Sequence, residues 1–215
     1  MKLGVLSAWD HHQTSVAGMT QPILKAYCRK HGYELISEQR EPKNGMTSIW
    51  FKIVMLDEFI DRFDVVVWLD ADCLIMDPLI TLESFLDPDH DFFIACDPLG
   101  LNTGVMMLRN CKWVKDFLKK LLEHALYWIG FHSLSEQTAT CYLLYTTGHL
   151  DRAKIFIGPA DPINSYQPGK FIFHPMGLDL KEKRRVLVAA KQPKRAKYAA
   201  RWPIVSYLLP KCSGY

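Results

Sequence analysis

Asp70 and Asp72 stand two residues apart, with only Ala71 between them, at the end of the run Val65-Val66-Val67-Trp68-Leu69. In an extended backbone, residues i and i+2 point to the same side. Two adjacent carboxylates repel each other, and both are costly to remove from water. A divalent cation relieves both problems. Hard carboxylate oxygens suit magnesium or manganese, and neither metal needs the protein to fill every coordination position. The remaining positions could hold a diphosphate. A bare Asp-x-Asp also arises as a helix cap plus a turn residue, so the pair alone leaves both readings open.

Elements on either side must position this pair. The β-branched run before it has the pattern of a strand buried on both faces, as at the centre of an α/β sheet. Lys2 to Ala8 reads as the first strand, followed by a polar loop through Asp10, His11 and His12. The two histidines have ligand chemistry but no supporting pattern. Gln21 to Lys30 reads as a helix ended by His31-Gly32, and Tyr33 to Ser37 as a short strand. After a loop from Glu41 to Gly45, Thr47 or Ser48 is placed to cap a helix from Ile49 to Asp61. Asp77-Pro78 turns the chain into a short helix through Leu82 and Phe85. Phe92 to Cys96 and Gly104 to Leu108 read as strands, the second reached through Leu101-Asn102-Thr103. Asn110 is expected to cap a helix from Trp113 to His124, and Ser133 or Ser135 to start another ending near Tyr145. Lys154 to Ile157 and Phe171 to Phe173 read as short strands joined by a Pro- and Gly-rich loop. Leu180 to Ala190 reads as a helix, and Pro193, Pro203 and Pro210 break the chain beyond it. Strands alternating with helices predict an α/β domain with a mainly parallel sheet, whose ligands sit outside the carboxyl ends of the strands. The Asp pair lies at that edge.

The chain has 215 residues, of which 49% are hydrophobic and 23% charged, enough for one soluble domain with a substantial core. No apolar run reaches membrane-spanning length, and Leu3 to Ala8 is too short for a signal peptide. The six cysteines include no Cys-x-x-Cys pair, which argues against zinc and redox motifs and for a reducing, cytoplasmic compartment. The net charge of +3 is uneven: Lys181 to Tyr215 holds 10 Lys or Arg and one acid, leaving 16 basic and 22 acidic residues elsewhere. An anion could face that basic end, though a solvated face is the plainer reading. Basic residues without a recognition motif, on a mostly acidic domain, argue against nucleic acid. The chain opens directly on a strand and ends in a basic segment, as one domain of a longer protein would.

Five segments fall into one pattern: Trp50-Phe51-Lys52-Ile53, Trp68-Leu69-Asp70-Ala71-Asp72, Leu101-Asn102-Thr103-Gly104-Val105, Ser135-Glu136-Gln137-Thr138-Ala139, and His174-Pro175-Met176-Gly177. In this order they resemble metal-dependent nucleotide-sugar glycosyltransferases of the GT-A fold, above all the retaining α-galactosyl, xylosyl and mannosyl transferases of fungi and plants. The resemblance implies a single Rossmann-like catalytic domain over 1–177 with a basic extension over 178–215. It implies that Asp70, Asp72 and His174 hold Mn2+ (or Mg2+), with Asp70 also touching the donor ribose. Ser7, Ala8, Lys52, Asn102 and Gly104 are implied to bind a UDP-sugar donor. Glu136 is implied to bind the sugar hydroxyls, and Gln137 to sit near the anomeric carbon. A neutral imidazole leans the metal towards manganese.

Each of these residues also has a plain structural role open to it. His174 follows an apolar strand as a core histidine does, Asn102 could serve a turn before Gly104, and Glu136 could be a first-turn acid. Lys181 or a neighbour could assist the leaving group, although the family's lysine after His-x-x-Gly is not cleanly matched. The implied reaction moves a hexose or pentose to a glycan or glycoprotein acceptor with retention. Asp97 and the loop Asp161 to Gly169 are candidates for the acceptor side. Two other classes compete: an Asp-x-Asp phosphohydrolase or phosphotransferase, with Asp70 as nucleophile, and a non-catalytic nucleotide-sugar-binding domain.

Overall fold

The computed structural model describes residues 1–42, 47–97, 100–128, 135–157, 163–165 and 170–191. Its frame is a six-stranded sheet of β1 (Leu3–Trp9), β2 (Glu34–Gln39), β3 (Val65–Leu69), β5 (Phe92–Asp97), β6 (Gly100–Arg109) and β7 (Ala153–Ile157). A separate two-stranded ladder joins β4 (Leu74–Ile75) to β8 (Ile172–Phe173). The large sheet has the order β2-β1-β3-β6-β5-β7. β1 is parallel to β2 and β3, and β5 to β7, while β6 runs antiparallel to both its neighbours. The sheet is therefore mainly parallel, as expected, with one reversed strand.

The apolar run that forms β3 is buried on both faces, each residue 2% exposed or less. Alternation sends Val66 and Trp68 into one core and Val65, Val67 and Leu69 into another. The first core is covered by α2 (Phe51–Phe59), α3 (Lys112–Trp128) and α4 (Ser135–Thr146). The second is covered by α1 (Thr14–His31). α5 (Leu180–Ala190) packs outside α1, burying Val186, Leu187 and Ala190 against Val16, Leu74 and Phe173.

Several boundaries differ from expectation. α1 begins at Thr14, not Gln21, because Asp10 caps a short 3-10 turn, its carboxylate accepting from the Gln13 amide at 3.1 Å. Pro22 looks like a first-turn residue but sits inside the helix, whose earlier turns are held by buried Val16, Ala17 and Thr20. The Ile49 to Asp61 helix is α2 flanked by 3-10 turns at Ser48–Trp50 and Ile60–Arg62, and Thr47 makes no side-chain cap. Asn110, expected as the cap, precedes α3 by two residues, and its side-chain amide donates to the Phe63 carbonyl at 3.0 Å. Gly32 ends α1 in the left-handed region at φ 74°, as its position suggested. Ser133, Lys43 to Gly45, Pro193, Pro203, Pro210 and most of the Asp161 to Gly169 loop lie outside the described residues. Among the described residues no helix is long and apolar enough to cross a membrane.

Candidate functional site

β1 and β3 end at the same sheet edge because they are parallel. β6 begins there because it is reversed: Leu69 pairs with Val105, and the Asp70 amide donates to the Gly104 carbonyl at 2.8 Å. The first turn of α4 and the β4–β8 ladder close the same edge. Together they wall a cavity of about 260 Å³. Asp70, Asp72, Asn102, Gly104, Glu136, Gln137, Lys52, Ala8 and His174 all line it.

Ser7 does not. Its hydroxyl is fully buried on the α1 side of the sheet and accepts from the Gln21 amide at 3.0 Å. Neighbouring strand residues face opposite ways, which turns Ser7 to the α1 side and Ala8 to the other face.

The acids are not left unbalanced. His174 Nε2 lies 3.2 Å from Asp72 Oδ1 and 3.9 Å from Asp70 Oδ2. Lys183 Nζ lies 2.7 Å from Asp72 Oδ2. Burial alone would raise the Asp72 pKa, but the charges of His174 and Lys183 outweigh it and hold the carboxyl far below its usual range. Trp68 Nε1 donates to Asp70 Oδ1 at 2.7 Å, and Thr20 Oγ1 donates to the Ala71 carbonyl between the two acids.

Lys52, expected to reach a donor, lines the cavity, and its contacts also organise the site. Its ammonium is 3.1 Å from Asp70 Oδ1 and 3.1 Å from Glu136 Oε1, and 3.3 Å from Thr103 Oγ1. Burial lowers its pKa, but Asp70 and Glu136 more than reverse this and hold it above the ordinary lysine value. Thr103 completes the bracket: its hydroxyl donates to Glu136 Oε1 at 3.0 Å and its amide to Gln137 Oε1 at 3.3 Å. Glu136 Oε2 is buried at the cavity wall and has no partner among the described residues. Asn102 braces the β6 start, accepting from the Gly104 amide at 2.9 Å and donating to Asp97 Oδ2 at 2.7 Å. Gly104 makes room: a Cβ there would stand 2.1 Å from the His174 ring.

The site's fit to a divalent cation follows from the donor set. Asp72, Cys73 and His174 bring ligand atoms within 4.8 Å of one another. Cys73 is the poor member. Burial and the neighbouring Asp72 and Asp70 push its thiol well above its usual value, and its sulfur donates to the Gly104 carbonyl. Asp70 does not meet that spacing together with Asp72 and His174, although its Oδ2 lies 3.9 Å from His174 Nε2; a cation held by all three would draw the Asp70 carboxylate towards Asp72. His174 is oriented for this. Its Nδ1 pairs with Asn164 Oδ1 at 2.8 Å, which leaves Nε2 facing the acids.

Sequence reasoning missed Lys183, Thr103, Trp68, Thr20 and Asn164. Lys183 stood within the basic stretch already noted, two residues beyond Lys181, which is exposed. Thr103 lay between two residues already singled out. Thr20 and Asn164 carried no local signal. Trp50 is fully buried core, and Trp9 lines the cavity. His11 pairs with Glu41 at the surface.

A model of the galactosyl transferase GMA12/MNN10 family matches residues 24–90 and 87–190. Xyloglucan 6-xylosyltransferase 4 of Arabidopsis thaliana is 28% identical over 104 residues, covering 43% of this chain and 20% of that protein. The chain spans less than half the length of the curated relatives it matches, 20% to 45%. A glycosyltransferase involved in the glycosylation of the major capsid of PBCV-1 superposes with a TM-score of 0.66 at 19% identity, over 87% of this chain and 99% of that one. A Drosophila β1,4-galactosyltransferase 7, solved with manganese, UDP-Gal and xylobiose, superposes with a TM-score of 0.53 at 11% identity, over 86% and 74%. At these identities the structural likenesses show the GT-A fold alone.

Two outcomes are expected. Lys52→Met should cost about 3–5 kcal/mol in denaturant unfolding, because it strands Asp70 and buried Glu136. Lys52→Met with Glu136→Leu should recover part of that loss; strictly additive losses would show that the two residues act separately. Because the folded Asp72 pKa is depressed, its stabilisation is present above the unfolded value near about 4 and is lost as pH falls below it. Unfolding between about pH 2 and pH 6 should therefore be steeper in wild type than in Asp72→Asn, and equal slopes would contradict the ion cluster.

Proposed function

The chain belongs to the galactosyl transferase GMA12/MNN10 family, and from that premise we propose that it transfers a sugar from a UDP-sugar donor to a glycan or glycoprotein acceptor with retention of configuration. The observation that carries this reading is the convergence of Asp70, Asp72 and His174 on one cavity that Glu136 and Gln137 also line. Those three residues would hold the cation, manganese in preference to magnesium because of the imidazole. When bound, the cation supplies Lewis-acid stabilisation of the charge developing on the leaving diphosphate.

The chain's own groups do the rest. Ala8 and Asp10 at the end of β1 offer the donor nucleoside its place at the edge where α/β sheets bind ligands. Lys52 holds Glu136 in place through Oε1, so that the unpartnered Glu136 Oε2 can accept from a sugar hydroxyl. Gln137 is fixed by its bond from the Thr103 amide and borders the reacting carbon. Same-face attack, with the leaving phosphate oxygen taking the acceptor's proton, calls for no separate base. The phosphohydrolase alternative calls for an Asp70 free to attack phosphorus, whereas Lys52 approaches both Asp70 oxygens and Trp68 holds one of them. The described cysteines are free thiols, which supports a reducing, cytoplasmic compartment for the domain.

A panel of UDP-sugars assayed for UDP release with manganese tests this. Asp72→Ala and His174→Ala should each lose more than the roughly 10–100-fold that loss of an outer partner costs. Gln137→Ala should lower kcat with little change in KM for the donor. Wild-type turnover in Asp72→Ala would remove the metal site from the reaction.

A further inference from the structure

Lys183 is placed where a cation would otherwise be expected. Its ammonium is 2.7 Å from Asp72 Oδ2, while His174 Nε2 takes Asp72 Oδ1 at 3.2 Å. Both oxygens of the more buried acid are thus engaged by chain groups. Lys183 lines the same cavity as Asp70 and Asp72. Its backbone is fixed: Asp179 caps the first turn of α5, and Val186, Leu187 and Ala190 pin the helix to Val16, Leu74 and Phe173. Only the four-carbon stem is free to swing. Lys181, Arg184 and Arg185 on the same helix are exposed, and Lys183 alone among them is turned inward.

We propose that Lys183 is a built-in counter-ion that competes with the divalent cation for Asp72 and is drawn off it by the diphosphate of the incoming nucleotide. The inference rests on the metal-site reading and goes beyond it. An ammonium on Asp72 Oδ2 and a divalent cation on Asp72 Oδ1 beside His174 would share one carboxylate and repel each other across it. The metal is therefore held better once the ammonium has left Asp72. A diphosphate at the metal offers it a new anionic partner within the reach of its side chain. The consequence is thermodynamic: metal alone binds weakly, nucleotide tightens metal, and metal tightens nucleotide by the same factor. The fold would then load both ligands together.

The experiment is a manganese titration read by the EPR signal of free Mn2+, with and without UDP, on wild type, Lys183→Met, Lys183→Arg and Asp72→Ala, each first checked for a cooperative thermal melt. Lys183→Met should bind Mn2+ alone at least about tenfold more tightly than wild type, because a competing charge is gone. The enhancement of Mn2+ binding by UDP should shrink by a similar factor. Lys183→Arg keeps the charge and should stay close to wild type in Mn2+ binding without UDP. Equal or weaker Mn2+ binding by Lys183→Met would overturn the competition, and tighter binding with an undiminished UDP effect would overturn the hand-over. If wild type binds no Mn2+ even with UDP, or if Asp72→Ala binds it as well as wild type, the metal site itself is wrong and the inference falls with it.

Discussion

The pairing of β4 with β8 is the contact on which the site depends. Two residues on each side, Leu74 with Phe173 and Ile75 with Ile172, join segments about a hundred residues apart. Closing so long a loop costs entropy that a two-residue ladder alone does not repay. The rest comes from burial: Leu74 and Ile172 are at most 1% exposed and Phe173 is fully buried, with Val16 of α1 and Leu187 of α5 packed with Leu74 and Phe173. The ladder also extends sideways, since the Ser165 amide donates to the Ile172 carbonyl and the His174 amide to the Ser165 carbonyl. Asn164 is thereby brought to Nδ1 of the histidine. His174 faces Asp72 because an apolar strand on one side of it and a fixed amide on the other leave little choice.

The second constraint is charge. Asp72 and Glu136 are nearly inaccessible to water and Asp70 is largely shielded. Buried acids without partners would unfold the edge or remain protonated. Lys52 answers Asp70 and Glu136, while His174 and Lys183 answer Asp72. Two cationic brackets thus hold one acidic floor, and each leaves something unspent: Glu136 Oε2 on one side, and the displaceable ammonium on the other. A site that is rigid in its acids and adjustable in one cation is suited to a ligand that is itself a metal with a diphosphate.

Much of this was legible because chemistry and periodicity coincide. The β3 run had to be a central strand, since five successive apolar residues leave no polar face for water. α5 falls where the sequence placed a helix, and the structure adds the Asp179 cap that starts it. Other features were hidden for physical reasons. The direction of β6 is not written in its composition; a parallel strand would have carried Asn102 and Gly104 to the far edge, and only its reversal brings them beside Asp70. The early start of α1 was masked by His11, His12 and Gln13, whose polarity looked like a loop. Lys183 and Asn164 act across long separations through ordinary residue types, so nothing nearby in the chain marked them. Lys52 stands out in the sequence as a helix lysine near the site, but its burial between two acids appears only in three dimensions. Gly104 likewise matters for the side chain it lacks, against a histidine seventy residues away.

A crystal structure with Mn2+ and a UDP-sugar, with the metal located by its anomalous scattering, tests the central claim most directly. The account predicts one strong peak about 2.0–2.3 Å from a carboxylate oxygen of Asp70, one of Asp72, and Nε2 of His174, allowing for the ordinary range of metal–ligand lengths. The diphosphate should lie on it and the sugar should point towards Glu136 and Gln137. A peak on other residues, or a donor bound away from this edge with Asp72 still paired only to Lys183 and His174, would contradict it.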